Sequence, residues 1–290
     1  MTIEHAQAHP LSKPWGVLDT HPWSDASAEA KSIGEIWYER SNSTAAPPSL
    51  LLKLLFTNQP LSIQVHPNDA YAQSIGLPNG KTEAWHILSA TPEAKIALGL
   101  KRRVSSEQLR HAIDDGSISD LVVWQAVHAG DTKMVAAGTI HAIGAGLVIA
   151  EIQQRSDATF RLFDYGRGRE LHVDSAVAVA DTGPAVCFTQ PNKVTNERTI
   201  LVSNSHFVFE QINLAPNSAW CLEAERETWL LAVGGSGRAG SFDLSAGDAI
   251  FAQLDHVNIH AGRDGLAALV AYTGRIVPQL LQCVDMETTQ

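Results

Sequence analysis

The chain has 290 residues, of which 44% are hydrophobic and 18% charged, and this composition excludes disorder over most of its length. Acidic residues outnumber basic residues by 31 to 21, and the net charge of −10 excludes a broad basic surface for nucleic acid or an anionic membrane. The three cysteines, Cys187, Cys221 and Cys283, are far apart and form no CxxC pair. They argue against a disulfide framework and against a thiolate metal site. With no leader-like N-terminus and no long apolar stretch, we expect a cytoplasmic protein without a membrane partner.

Short apolar or alternating segments bounded by Gly, Pro, Asn and Asp recur along the chain and predict β-strands. They lie at 33–38, 50–56, 61–65, 84–89, 95–100, 121–126, 132–135, 147–152 and 159–164. Their frequency is typical of an all-β sandwich or barrel. Helical patterns are fewer: the best runs from Ser105 to Ile113 after a polar first turn, and a shorter one from Asn68 to Ile75. We therefore predict an all-β protein with a small helical insertion near 101–120.

A segment rich in Pro, Thr and Asn, at 181–197, interrupts the series of predicted strands. We interpret it as the connection between two units. The sequence therefore predicts a metal-binding catalytic domain at 1–190, which carries the helical insertion, and a C-terminal domain of similar design at 191–290.

The second half resembles a shortened copy of part of the first half. The letters EAW at 83–85 match ETW at 227–229, and the GD pair at 130–131 matches the GD pair at 247–248. Two barrels of common design are indicated. Because the stretch 207–229 holds no histidine, we expect the second barrel to lack a metal.

Four residues on three predicted strands form a candidate metal site. Two-residue alternation places Gln64 and His66 on one face of their strand, while Glu83 and His141 come from a second strand and from a glycine-rich turn. Such a mixed nitrogen and oxygen set suits Zn²⁺, with positions left for water or substrate oxygens. We predict one Zn²⁺ per chain, with other divalent ions as alternatives. Other histidines are more typical of hydrogen-bonded core or surface residues, and we interpret the following in this way: His86, His111, His128, His172 and His206.

Polar residues occupy every odd position between 151 and 161, beginning with Glu151, passing through Arg155 and ending with Arg161. A solvent-facing polar strand is one interpretation. The other is a wet cavity lined by Glu151 and Arg161 beside the metal, with a turn between two strands at 155–158.

Several sequence blocks in a fixed order resemble the short bacterial form of type I phosphomannose isomerase, a family of the cupin superfamily. The resemblance covers roughly residues 11 to 180. It rests on the following blocks: KPWG (13–16), IGEIW (33–37), QVHPND (64–69), GKTEAWHIL (80–88), AAGTIHAIGAG (136–146), EIQQRSDATFRLFDYGR (151–167) and RELHVDSA (169–176).

The resemblance implies two cupin-type (jelly-roll) barrels and a zinc-dependent mannose-6-phosphate isomerase. Gln64, His66, Glu83 and His141 fall on the family's metal-ligand positions. Its active-site positions, which we expect to be catalytic here, are matched by the following residues: Lys81, Glu151 and Arg161.

The expected reaction interconverts mannose 6-phosphate and fructose 6-phosphate through a metal-assisted enediol, in a monomer or homodimer. Burial should raise the pKa of Glu151, and burial with a nearby metal should lower the pKa of Lys81, so both are candidates for proton transfer. Arg161, Lys81 and Arg155 are candidate cations for binding the sugar phosphate. Alternatives are an isomerase of a related aldose, a metal cupin that acts as an oxygenase, and a sugar-binding regulatory protein. Gln64 in the ligand set speaks against the oxygenase.

Overall fold

The structure, a computed structural model, describes residues 2–24, 32–42, 44–186 and 190–284. Within this part, three antiparallel sheets and four short helices make up the regular secondary structure, which confirms the predicted all-β fold. No helix of the described residues has the length and apolar character needed to cross a membrane.

One sheet has six strands, and all of them except the edge strand at 7–17 come from the predicted segments. Its strands, in spatial order, are β2 (Gln7–Val17), β3 (Ile33–Glu39), β4 (Leu50–Thr57), β11 (Leu147–Gln154), β6 (Glu83–Ala90) and β9 (Thr132–Val135). A five-stranded sheet packs against it and completes the first barrel. The strands of that sheet, in order, are β12 (Phe160–Phe163), β5 (Ile63–Val65), β10 (His141–Ile143), β7 (Lys95–Leu100) and β8 (Val122–Ala126).

The helices belong to the first half and cover the outer face of the five-stranded sheet. Ser105 caps one of them through a capping box with Gln108, which is why this helix starts where the sequence predicted. Asn68 caps another by accepting a hydrogen bond from the Tyr71 amide. The four helices are α1 (Asp69–Ser74), α2 (Ser106–Asp114), α3 (Ile118–Leu121) and α4 (Val173–Val179).

The second half forms a ten-stranded sheet that curls around its own apolar core. Its two longest strands, β17 (Thr228–Ala239) and β20 (Asp255–Thr273), pair with each other at irregular registers. The ten strands are β1 (Thr2–His5), β13 (Asn192–Lys193), β14 (Arg198–Ser203), β15 (Phe207–Leu214), β16 (Ala219–Ala224), β17 (Thr228–Ala239), β18 (Phe242–Leu244), β19 (Ala249–Gln253), β20 (Asp255–Thr273) and β21 (Leu281–Cys283).

Strand β4 is buried on both faces because it lies between the two barrels. Leu52 and Leu54 pack with Phe209 and Trp229 in a core shared by the two halves. The alternate residues of β4 face the interior of the first barrel, where Lys53 is the one charged residue of an otherwise apolar strand. The six-stranded sheet is thus both a wall of the first barrel and the surface on which the second barrel rests.

The two halves are also linked by the N-terminal strand and by one buried carboxylate. Strand β1 pairs with β19 of the second half, whereas β2 belongs to the first barrel. The carboxylate of Glu227 accepts hydrogen bonds from the Ser49 and Leu50 amides, at 2.6 and 2.8 Å, at the start of β4. The division near residue 190 stays a prediction, and β1 crosses it.

The repeated GD pairs build the same turn in both halves. Gly130 and Gly247 have φ of +91° and +95°, and each amide bonds to the carbonyl of the facing strand, at Ile87 and Ala232 respectively. Asp131 and Asp248 each accept a hydrogen bond from the amide three residues earlier. In this respect the predicted repeat is present in the fold.

The EAW and ETW segments, however, are not structurally equivalent. Val135 and Ala252 each lie five residues after the turn glycine and are therefore equivalent positions. Val135 pairs with Glu83, whereas Ala252 pairs with Thr228, so the equivalent of Glu83 is Thr228. The match in letters is therefore one residue out of step, and a one-residue slip on a strand reverses the face. Glu227 consequently points to the contact between the halves and not into the second barrel.

A fully buried polar cluster occupies the interior of the second half. Arg198 donates to both carboxylate oxygens of Glu210 at 3.0 Å and to the Pro278 and Val277 carbonyls at 2.6 and 2.9 Å. The Tyr272 hydroxyl donates to the same carboxylate. The cluster's charges are balanced by its own side chains, so we interpret it as structural.

We expect Glu210→Gln to lower the free energy of unfolding by about 3–5 kcal/mol, because it leaves the Arg198 guanidinium buried without its counter-charge. Urea unfolding followed by circular dichroism measures the loss. The matched control is Glu225→Gln, which removes an exposed carboxylate and should change stability by less than about 0.5 kcal/mol. Equal effects of the two substitutions would contradict the assignment.

Candidate metal centre and active site

Three strands of the first barrel bring the predicted metal ligands together. His141 on β10 lies directly opposite Gln64 on β5. The predicted catalytic residue Arg161, on β12, pairs with Gln64 from the other side of β5. His66, Glu83 and His141 are almost completely buried, and one potential ligand atom from each lies within 4.8 Å of the others. The spatial adjacency that sequence spacing left open is therefore present.

The hydrogen bonds of the two histidines fit a metal ion. The Nδ1 atoms of His66 and His141 each lie 2.8 Å from a backbone carbonyl, of Ala158 and Thr139, and must donate to it. Both Nε2 atoms therefore carry lone pairs, and they point at the Glu83 carboxylate from 3.4 and 3.5 Å. Two imidazole lone pairs and a carboxylate thus face one another, with the Lys81 ammonium 3.3 Å from His66 Nε2 and 2.8 Å from Glu83. Hydrogen bonds from Nδ1 to a carbonyl oxygen typically orient metal-bound histidines.

Electrostatics keep these ligands in the form that binds a cation. Burial and the Lys81 ammonium lower the pKa of His66 to about 3, and burial lowers the pKa of His141, so both imidazoles are neutral. Burial alone would raise the pKa of Glu83, but Lys81 and His66 hold it well below its usual value. A neutral–neutral–anionic set is thus available at neutral pH.

Gln64 borders the same site. Its amide nitrogen lies 3.3 Å from His141 Nε2, and its amide oxygen accepts a hydrogen bond from Ser62. Rotation of the amide by half a turn exchanges these two atoms and turns the oxygen toward the histidines.

A cavity of about 330 Å³ opens beside the predicted metal ligands. Glu151 and Lys81 lie at its floor, 4.0 Å apart, and Arg161 lines it as well. The Trp85 indole donates to Glu151 at 3.0 Å, while the other carboxylate oxygen of Glu151 is buried without a hydrogen-bond donor. The structure therefore supports the interpretation of the 151–161 segment as a cavity lining, with a turn between β11 and β12.

The pKa of Glu151 is raised, mainly by burial and then by Glu83, as expected. The pKa of Lys81 is also raised, opposite to the expected direction. Burial opposes its charge, but Glu83, 2.8 Å away, and Glu151 outweigh that effect.

Arg155 lies outside this cavity. Its guanidinium pairs with Glu39, and it lines a separate cavity between the two halves together with His206. The sequence pattern placed Arg155 with Arg161, but the intervening turn separates them.

Several cavity residues were not predicted. Lys53 is buried 3.5 Å from Glu151 and 3.9 Å from Glu35, and a lone lysine within an apolar strand is a sequence signal for such a role. His172, which was interpreted as an ordinary histidine, lines the cavity and accepts a hydrogen bond from the Arg161 amide. The other unpredicted lining residues that carry charge are Lys13, Glu35, Asp157 and Arg169.

Fold and site together describe a two-barrel, cupin-like protein with a buried His–Glu–His metal site. The chain is 37% identical over 200 residues to a mannose-6-phosphate isomerase of Streptococcus mutans, covering 66% of this chain and 61% of that protein. It is 40% identical over 139 residues to a mannose-6-phosphate isomerase of Bacillus subtilis, covering 46% and 44%. The chain thus spans about three-fifths or less of the length of these curated relatives. No family model matches it.

Solved structures extend the likeness in fold to nearly the whole chain. A mannose 6-phosphate isomerase from Bacillus subtilis superposes with a TM-score of 0.80 at 24% identity, covering 94% of this chain and all of that one. A zinc-bound mannose 6-phosphate isomerase superposes with a TM-score of 0.74 at 16% identity, with the same coverage. The chain is thus similar to mannose-6-phosphate isomerases in sequence over part of their length, and it has a similar cupin-like fold.

We expect His141→Ala to lose the buried metal during dialysis against a weak chelator, because one of the few buried ligands is removed. Even the loss of a supporting hydrogen bond typically costs about 10–100-fold in metal affinity. Elemental analysis measures the remaining ion. His86→Gln is the matched control, since His86 is also buried but bonds only to Thr132. Full retention of metal by His141→Ala would show that the site lies elsewhere.

Proposed function

We propose that the chain interconverts mannose 6-phosphate and fructose 6-phosphate, with Zn²⁺ held by Gln64, His66, Glu83 and His141, one ion at this site. The observation that carries the proposal is the placement of Glu151 and Lys81 at the floor of a cavity that adjoins the His–Glu–His set. The names of the relatives support the same reaction. When bound, the ion supplies Lewis acidity that polarises sugar oxygens and stabilises negative charge on the intermediate.

Isomerisation requires a proton to leave C2 of the open-chain aldose and a proton to arrive at C1. Glu151 is suited to this exchange, because burial moves its pKa toward neutrality and one oxygen is free of hydrogen bonds. Lys81 is held as an ammonium, so it can donate a proton to a sugar oxygen or stabilise its charge. Arg161 adds positive charge beside the intermediate.

The cations of the cavity fall into two groups by exposure. Lys53 and Lys81 are buried at the floor, with 5% and 7% of their side chains exposed. Lys13 and Arg169 are each 29% exposed, and Arg161 is half-buried. We place the substrate phosphate among the second group, because a dianion keeps more of its hydration there and the sugar then extends toward the metal ligands.

An alternative function as a sugar-binding protein without catalysis would be favoured if Lys81, Glu151 or Arg161 pointed away from the His–Glu–His set. All three side chains line the cavity beside that set, which favours the isomerase.

The reaction is tested by turnover of mannose 6-phosphate in deuterated water. We expect deuterium at C1 of the fructose 6-phosphate formed, because an enediol route places the C2 proton on an enzyme group that exchanges with solvent. Glu151→Gln should lower turnover by about 10² or more while it retains the metal.

The matched control for this carboxylate is Glu93→Gln, which lies outside the cavity and should turn over normally. Isomerisation that carries no deuterium, together with normal turnover by Glu151→Gln, would contradict the proton-transfer assignment. Consumption of oxygen would instead identify an oxygenase.

The position of the phosphate is tested by Lys13→Met and Arg155→Met. Losing a charge-assisted hydrogen bond to phosphate costs roughly 1.5–3 kcal/mol, so Lys13→Met should raise KM by about 10-fold or more with a smaller change in kcat. Arg155→Met should leave KM unchanged, because Arg155 lines the separate cavity and not the one beside the His–Glu–His set. If Arg155→Met raised KM and Lys13→Met did not, the phosphate would bind toward the contact between the halves.

A further inference from the structure

A second group of metal-ligating side chains lies on the outer surface of the second half. Cys221 and Glu223 are two residues apart on β16 and therefore share one face of the strand. His256 on β20 is the direct cross-strand neighbour of Glu223. One potential ligand atom from each residue lies within 4.8 Å of the other two.

The contacts within this group centre on one carboxylate. His256 Nδ1 lies 2.7 Å from one oxygen of Glu223, and Cys221 Sγ lies 3.8 Å from the other. Bond lengths of about 2.0–2.3 Å to zinc imply ligand atoms roughly 3.3–3.8 Å apart in a tetrahedron, so small side-chain rotations suffice to surround an ion. The supporting strands are paired over six consecutive positions, which holds the three residues in register.

Contrary to the expectation of one ion per chain and of a second half without a metal, we propose that Cys221, Glu223 and His256 form a second site for a borderline or soft divalent cation such as Zn²⁺ or Cd²⁺. A thiolate and a carboxylate together balance the charge of a divalent ion, and the neutral imidazole completes a set that hard cations such as Mg²⁺ do not favour. Two thirds of the His256 side chain is exposed, which leaves the fourth position open to water. The ion is therefore exchangeable, unlike the one at the buried site, and it ties β16 to β20.

The donor chemistry makes the two sites separable by experiment. The buried site holds nitrogen and oxygen donors alone, so a thiolate-to-metal charge-transfer band reports only on the surface site. The chain has three cysteines, and the double substitution Cys187→Ser with Cys283→Ser leaves Cys221 as the sole thiol. This variant, with zinc already bound at the buried site, is the reference protein for a titration with Cd²⁺.

We expect one additional equivalent of Cd²⁺ to bind to the reference protein and to produce a thiolate charge-transfer band, which added Zn²⁺ removes by competition. Cys221→Ser in this background should abolish the band. His256→Gln should weaken Cd²⁺ binding by about 10-fold or more, since a direct ligand is lost. His260→Gln, an exposed histidine further along β20, is the matched control and should leave the affinity unchanged.

Absence of the band at saturating Cd²⁺ would overturn the proposal. So would equal affinities of the His256→Gln and His260→Gln variants, because the thiol would then bind the ion without the proposed partners. Circular dichroism of each variant verifies the fold, and none of these readouts depends on the activity of the buried site.

Discussion

Charge balance inside the first barrel is the constraint on which the site depends. Glu83 and Glu151 are almost completely buried, and a carboxylate removed from water stays ionised only when cations and hydrogen-bond donors compensate it. Lys53 and Lys81 supply the positive charge from strand β4 and from the segment before β6. Apolar layers on both sides of the sheet hold these groups in place, so they are oriented before a substrate arrives.

The two halves use the same architecture for different purposes, and hydrogen-bond satisfaction distinguishes them. In the second half, the partners of Arg198, Glu210 and Tyr272 are all protein atoms, which produces a closed and rigid interior. In the first half, the Nε2 lone pairs of His66 and His141 converge on a carboxylate. One carboxylate oxygen of Glu151 is also buried without a hydrogen-bond donor among the described residues, as is typical of a site that receives another group.

Strand alternation placed Gln64 and His66 on one face, and a second strand and a glycine-rich turn supplied Glu83 and His141. The structure brings His66, Glu83 and His141 together, while their role as metal ligands stays a prediction. Lys53 was missed because the meaning of one lysine in an apolar strand depends on which strand lies beside it. The match of Glu227 with Glu83 was wrong for a similar reason: letters record order, whereas the facing strand decides the register. The nearness of Cys221 to a histidine far along the chain likewise depends on tertiary pairing.

The pairing of β1 with β19 has a consequence for biosynthesis. The partner strand β19 is synthesised long after β1, so β1 leaves the ribosome long before it can be hydrogen-bonded. The first barrel has no such delay, because all eleven of its strands lie between residues 7 and 163. A nascent chain can therefore fold the first barrel early. Strand β1 stays without its hydrogen-bond partner until residues 249–253 have emerged.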